Sequence, residues 1–399
     1  MSKPLEGIRV VELAQAMSGP YAGMLLADYG ADVVKVEPPG GELWRRFANT
    51  APQSKLMAAR MTPSFVVMNR SKRSVVLDLS LEGGRQILRQ LVAVSDVLIE
   101  NLRPGEAEKL GLGYDTAQEL NAGIVYASIS GYGHHGPEAS SRAFDPLAQA
   151  RAGILSARRY PDGTPVSPSV FVADLSCATM VAYAIALALL ERGKTGLGQK
   201  IEASLLGAAI GMNLTPLVQV SGEASVRPKL APLNCPYRGA DGRFLFISDP
   251  AGAFFEGTCA ALGIPELAKE EAFQTQASRE HNAEALHSIL ENVFSTRPAR
   301  EWLARLRQRD IPSTLVLEPD EVFYDPQVRA NSLMVEQAHP LLGTVKMPGL
   351  SFRLCSTEGE ISSGAPALGE HTTSVLKELG YDEAAIRELE RQGITRHAP

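Results

Sequence analysis

The feature that most constrains this chain is the alternation in its first 130 residues. Short β-branched runs at 8–13, 32–37, 74–79, 96–100 and 124–129 are separated by segments of helical periodicity. The runs are apolar on consecutive positions, as in Val10-Val11, Val33-Val34, Val75-Val76 and Leu98-Ile99. A strand buried on one face alternates in polarity. A continuously apolar strand is covered on both faces, which implies a parallel sheet with helices above and below. Between the first two runs Gly19-Pro20 opens a helix, with Pro at a tolerated early position. Ala22, Leu25, Leu26 and Tyr29 form its apolar face, and Gly30 stops it.

The texture changes further along. A polar, proline-containing stretch runs from about 220 to 233, and an Asp241-Gly242 turn then leads into an apolar strand at 244–248. Charged helical segments follow to about 309, then a strand at 314–317 and a second linker-like passage from Asp325-Pro326. Residues 369–393 read as a polar helix-turn-helix. The expected layout is a large α/β domain over 1–205, a linker over 206–225, a small α/β domain over 226–325, a linker over 326–345, and a return to the large domain over 346–399. The 399 residues suffice for two domains. With 45% hydrophobic and 21% charged residues, wholesale disorder is excluded. The net charge of −6 gives no general nucleic-acid footprint. Cys177, Cys235, Cys259 and Cys355 lie far apart and no secretory pattern opens the chain, so reduced thiols and a cytoplasmic location are expected. The longest apolar run, 178–190, is too short to span a bilayer and is expected to be a buried core helix.

Several tempting motifs fail on their context. The loop after the first strand, Ala14-Gln-Ala-Met-Ser-Gly19, lacks the glycines of a dinucleotide fingerprint, although a strand-loop-helix can still present N–H groups to an anion. Gly193-Lys-Thr195 lacks the earlier glycine of a phosphate loop, Ala188 standing there, and reads as a helix stop. His134-His135 has no carboxylate or thiol at ligand spacing, so a solvated loop and no metal are expected. No Gly-x-Ser-x-Gly occurs. Asp174 stands between the apolar Val170-Phe-Val-Ala173 and a helix expected to begin near Ser176. Two readings stay open for it: a helix cap, or a carboxylate nucleophile toward an activated carbonyl.

Taken in order, the motifs resemble those of the family III CoA-transferases, which include formyl-CoA transferase, carnitine CoA-transferase and the α-methylacyl-CoA racemases. The resemblance rests on Leu5-Glu-Gly-Ile-Arg-Val10, Gly19-Pro20, Leu26-Ala-Asp-Tyr-Gly-Ala-Asp-Val-Val-Lys-Val-Glu37 and Asn69-Arg-Ser-Lys-Arg-Ser74. It continues through Glu100-Asn-Leu-Arg-Pro-Gly105, Leu110-Gly-Leu, Ser130-Gly-Tyr-Gly133, Asp174 and Lys194-Thr-Gly-Leu-Gly-Gln199. His339-Pro-Leu-Leu-Gly343 and Leu368-Gly-Glu-His371 close it. The resemblance implies an α/β fold with a large Rossmann-like domain built from both chain ends, a small central α/β domain, and an interlocked, ring-like homodimer. It implies no tightly bound cofactor: coenzyme A enters as the acyl-CoA substrate, with a small carboxylic acid as acceptor and neither nucleic acid nor membrane as partner. By that resemblance Asp174 is the nucleophile and Asp145 a supporting acid that orients loop backbone. Ala16, Met17, Leu77, Asn101, Leu102, Lys109, Arg142 and Leu205 match positions that contact CoA. A backbone N–H near Ser176 is expected at the oxyanion.

Three departures refine the expectation. Phe144 stands where the racemases carry a histidine, and a ring without a titratable proton cannot serve a two-base racemisation. Pro38 replaces a basic residue of formyl-CoA transferase, and 233–241 lacks that enzyme's glycine-rich lid. The expected reaction is therefore acyl-CoA:carboxylate CoA transfer with substrates other than formate and oxalate. A racemase, or a non-catalytic CoA-binding subunit, is the alternative.

Overall fold

The computed structural model describes residues 3–45, 54–157, 159–160, 162–222 and 231–397. In chain order the first part contains β1 (Arg9–Leu13), α1 (Ser18–Ala27), β2 (Asp32–Glu37), β3 (Lys72–Leu77), α2 (Glu82–Ala93), β4 (Val97–Glu100) and β5 (Val125–Ser130). Then come α3 (Asp145–Arg151), α4 (Val172–Thr195), β6 (Lys200–Ser204) and α5 (Leu205–Met212). A middle part holds β7 (Asn234–Arg238), β8 (Phe244–Ser248), α6 (Phe255–Leu262), α7 (Ala283–Phe294), α8 (Ala299–Arg307) and β9 (Ser313–Leu315). The last part holds β10 (Met334–His339), β11 (Gly343–Pro348), α9 (Thr372–Glu378), α10 (Glu383–Arg391) and β12 (Thr395–Arg396). Contacts divide the chain into one unit of Met1–Ser225 with Ala330–Pro399, and a second of Val226–Arg329.

The first unit is built on a seven-stranded sheet in the order β12-β3-β2-β1-β4-β5-β6. All neighbours are parallel except β12, which pairs antiparallel with β3 through Thr395↔Leu77 and Arg396↔Val76. Successive residues of the inner strands point into opposite cores, which is why these strands carry apolar residues at consecutive positions. Val10, Val33, Ile99 and Ala127 enter a core with α1, α3, α4 and α5. Val11, Val34, Leu98 and Tyr126 enter another with α2, α9 and α10. The chain runs outward from β1 in both directions, so a crevice opens at the carboxyl ends of β1 and β4, where open α/β sheets bind ligands.

The second unit is a three-stranded antiparallel sheet, β7-β8-β9, with its own core. Trp302 is buried there, with its ring edge-on to Phe294 at 5.7 Å and its indole N–H donating to the Phe294 carbonyl.

The structure corrects several boundaries. The first linker expected over 206–225 carries most of α5, while its end at 223–225 and the first residues of the expected small domain, 226–230, lie outside the described residues. The second expected linker holds most of the antiparallel hairpin β10–β11. The apolar run at 178–190 belongs to a 24-residue helix, α4, which by length and composition alone could cross a membrane. Only one stripe of it is buried, through Ala173, Cys177, Ala178, Val181, Ile185 and Ala188. Met180, Tyr183, Leu187 and Leu190 are exposed, so α4 is a half-covered helix rather than a buried one.

Candidate functional site

A cavity of about 360 Å³ lies at the carboxyl ends of β1, β4 and β5. Gln15, Ala16 and Ser18 line it from the β1–α1 turn, Asn101, Leu102 and Arg103 from the end of β4, and Ile129, Ser130 and Gly131 from β5. Arg142, Phe144, Asp174 and Leu205 complete the part of the wall that concerns the chemistry. Ala16, Asn101, Leu102, Arg142, Asp174 and Leu205 are thus brought together from segments up to 189 positions apart. That separation follows from 205 − 16.

Of the two readings the sequence leaves open for Asp174, the helix cap is not what the structure shows. The helix α4 begins at Val172, so Asp174 is its third residue and Phe171 holds the cap position without a side-chain bond. The capping is done from a distance: Asp145 Oδ2 accepts the Asp174 N–H at 2.9 Å. Asp145 is itself buried and also accepts a hydrogen bond from the Gln149 amide. Ser176 lies inside α4, where its N–H belongs to the helix ladder. With that N–H taken up inside the helix, Ser176 is not the backbone oxyanion donor expected; its hydroxyl donates to the Val172 carbonyl at 2.6 Å.

The residue that sequence reasoning missed is Ser18. It opens α1 and lines the same cavity wall as Asp174, where its hydroxyl and N–H favour the ionised form of the Asp174 carboxylate. The signal was present as a Ser directly before the Gly-Pro helix start, a common N-terminal arrangement. The charge on Asp174 is set by opposing effects. Burial, and next the Asp145 carboxylate, push its pKa up to about 7, against the pull of the Ser18 donors. An unperturbed aspartate is almost fully ionised at neutral pH, and Asp174 departs from that. Its proton is in balance near neutrality.

The turn that delivers Ser18 is tight. Ala16 has φ +64°, a left-handed conformation that costs an L-residue roughly 1–2 kcal/mol. Gly19 lies so close to Ala14 that a Cβ there would sit 2.3 Å from the Ala14 Cβ. Beneath the turn is a buried charge cluster: Lys35 and Lys72 donate to the two oxygens of Glu12 at 2.8 and 2.7 Å. Burial pushes Glu12 up, but the two ammonium groups hold it below its ordinary value.

Four expected residues are not on the cavity wall. Leu77 is fully buried in the core under β3, so its side chain cannot touch a ligand. Met17 is buried beside the α1 start. Lys109 is exposed at the end of the short helix Glu106–Lys109, and Asp145 stands behind Asp174. His134 is more buried than a solvated loop implies, with Nε2 2.8 Å from the Ser128 hydroxyl. No group of three or more metal-ligating side chains occurs among the described residues.

The family model for CoA-transferase family III matches residues 5–372. A succinate–glutarate CoA-transferase of Agrobacterium fabrum is 35% identical over 390 residues, covering 94% of this chain and 96% of that protein. Succinyl-CoA:glutarate CoA-transferase of Mus musculus is 33% identical over 408 residues, covering 98% and 90%. Among solved structures, a CAIB/BAIF family protein from Brucella suis superimposes with a TM-score of 0.83 at 31% identity, covering 95% of this chain and all of that one. This chain belongs to CoA-transferase family III.

Proposed function

We propose that the protein transfers CoA from an acyl-CoA to a carboxylic acid, with Asp174 as the covalent nucleophile. The observation that carries this reading is the Asp174 carboxylate on the cavity wall, with Asp145 behind it accepting its N–H and Ser18 beside it on the same wall. An ionised Asp174 oxygen attacks the donor carbonyl, the C–S bond breaks, and CoA thiolate leaves a mixed anhydride. The thiolate then attacks the Asp174 carbonyl carbon, releasing the donor acid and forming an aspartyl-CoA thioester. The acceptor carboxylate attacks that thioester and expels the thiolate. The thiolate finally attacks the acceptor carbonyl, giving the new acyl-CoA and restoring Asp174. No proton moves in any step, so no general base is required, and splitting the exchange into covalent steps conserves the thioester energy.

The Ser18 N–H and hydroxyl are suited to hold the oxyanion at the Asp174 carbonyl in the two steps that occur there. The Arg103 and Arg142 guanidinium groups, on the cavity wall, form no ion pair among the described residues, and we assign them to the CoA phosphates. Phe144, 58% exposed on the same wall, offers no proton for racemisation. A second copy of the chain covering the exposed apolar face of α4 completes the reading as a homodimer. The free thiols suit the reducing cytoplasm.

The test is incubation with a panel of acyl-CoAs and hydroxylamine, followed by mass spectrometry of the peptide holding Asp174. A hydroxamate at Asp174 in the wild type, absent in Asp174→Ala, together with transfer to an added dicarboxylic acid, is the expected result. If a donor binds and no adduct forms, Asp174 is not the nucleophile, and solvent deuterium uptake at the α-carbon then separates a racemase from a silent CoA-binding subunit.

A further inference from the structure

The turn that carries Ser18 is held from three sides. Lys35 Nζ donates to the Ala14 carbonyl at 2.9 Å. Asn101 brackets Gln15, its Oδ1 accepting the Gln15 N–H at 2.9 Å and its Nδ2 donating to the Gln15 carbonyl at 2.7 Å. The third hold comes from Glu42, whose Oε2 accepts the N–H of Ala16 at 3.1 Å and that of Trp44 at 3.2 Å. Ala16 is the strained position of this turn, with φ +64°, and such a conformation persists only where its surroundings impose it.

We infer that Glu42 is a positioning residue for CoA transfer: by holding the Ala16 N–H it sets the turn that presents Ser18 to the Asp174 carboxylate. The inference rests on the reading of Asp174 as nucleophile. Glu42 is buried, and its other oxygen, Oε1, has no hydrogen-bond partner among the described residues. The acceptor capacity its side chain uses, all on Oε2, goes to two backbone N–H groups, one of them in the strained turn. Leaving a buried carboxylate oxygen unpaired is unfavourable, so a role confined to stability accounts poorly for the arrangement.

The charges around both carboxylates fix the sign of the effect. Glu42 is near Lys35 and Lys72, and its own N–H donates to Glu37, which is paired with Arg45. Asp174 faces Asp145 from α3 and Ser18 from α1, with Cys177 on its own helix, whose thiol burial pushes up to about 12, and Arg103, Glu106 and Arg142 on the cavity wall. The Ser18 donors favour the ionised carboxylate. A relaxed turn withdraws them, so Asp174 stays protonated to higher pH and the acidic limb of the acylation rate moves up. Removing the Glu42 charge acts in the opposite direction. Glu42→Gln and Glu42→Ala share that charge loss, and the difference between them isolates the hydrogen bond.

The experiment uses the full-length protein. Hydroxamate formation at Asp174 is timed with the donor that labels the wild type, from pH 5.5 to 9, in wild type, Glu42→Gln, Glu42→Ala and Glu42→Asp, with thermal melting recorded for each. Relative to Glu42→Gln, Glu42→Ala is expected to shift the acidic limb up by about half a unit or more. A half-unit shift slows acylation at pH 6.5 about threefold, while the plateau rate above the limb and KM for the acyl-CoA change little. Glu42→Asp keeps the charge but withdraws the acceptor, and is expected to shift the limb in the same direction relative to wild type, which covers a Glu42→Ala protein that does not fold. Coincident limbs in Glu42→Gln and Glu42→Ala, or in Glu42→Asp and wild type if Glu42→Ala does not fold, overturn the inference even if melting temperatures fall. No adduct in the wild type removes the nucleophile itself, and this inference with it.

Discussion

At the scale of single residues, the site is governed by where one proton sits. Asp174 needs its charge to attack, yet burial and Asp145 oppose that charge and Ser18 restores it. Acylation should therefore rise with pH through about 7 and level above it. Asp145→Asn keeps an oxygen for the Asp174 N–H but removes the repelling charge, so the acidic limb should move to lower pH in stopped-flow acylation. Ser18→Ala should move it the other way. Stability follows the same linkage. A carboxyl whose pKa is raised on folding lowers stability as pH rises from its unfolded value near 4 through its folded value. Asp174→Asn should thus abolish transfer while stabilising the protein at pH 8 by on the order of 2 kcal/mol, after discounting for its partial exposure. The gain should vanish near pH 4 in thermal melts. Equal stabilisation at both pH values would contradict the assigned cause.

At the scale of elements, the β1–α1 turn connects sheet to chemistry. Its path depends on Gly19 folding back on Ala14 and on Gly23, where a Cβ would meet the Glu12 carboxylate at 2.1 Å. These glycines let α1 lie directly on the buried Glu12–Lys35–Lys72 cluster. Glu12→Gln leaves two buried ammonium groups short of their counter-charge, and breaking such a pair costs about 3–5 kcal/mol. A fall of that order in the unfolding free energy from urea titration is expected, and a change below about 1 kcal/mol would show the cluster to be relaxed by water. Much of this element was legible: the sequence predicts a strand at 8–13, a helix opened by Gly19-Pro20 and a stop at Gly30, and α1 runs Ser18–Ala27. The start of α4 was not legible, because the group that caps it, Asp145, lies 29 positions earlier.

At the scale of the whole molecule, the continuous unit over Val226–Arg329 has a core of its own, and Trp302→Ala there should cost about 3–5 kcal/mol in chemical denaturation. The exposed side of α4 carries Tyr183, Leu187 and Leu190 at 67, 48 and 63% exposure, an apolar face that soluble monomers rarely leave open. If a second copy covers it, light scattering should give twice the 42.8 kDa chain mass for the wild type and a lower mass for Leu187→Asp with Leu190→Asp. A monomeric wild type would remove the dimer from the proposal.

What the sequence determined by itself was local and periodic. Consecutive apolar residues in each run specify strands covered on both faces, and ordered short motifs over the whole chain specify the family and point to Asp174. What only the tertiary structure decided was adjacency. The order β3-β2-β1-β4-β5 places residues 14–18, 101–103 and 129–131 around one crevice, because the chain reverses its direction of winding at β1. Leu77 looks as eligible as Leu102 in the sequence, yet one is core and the other lines the cavity. The same holds for charge. The pKa of Asp174 depends on burial, on Asp145 and on Ser18, groups whose separation along the chain carries no record of their distance in space.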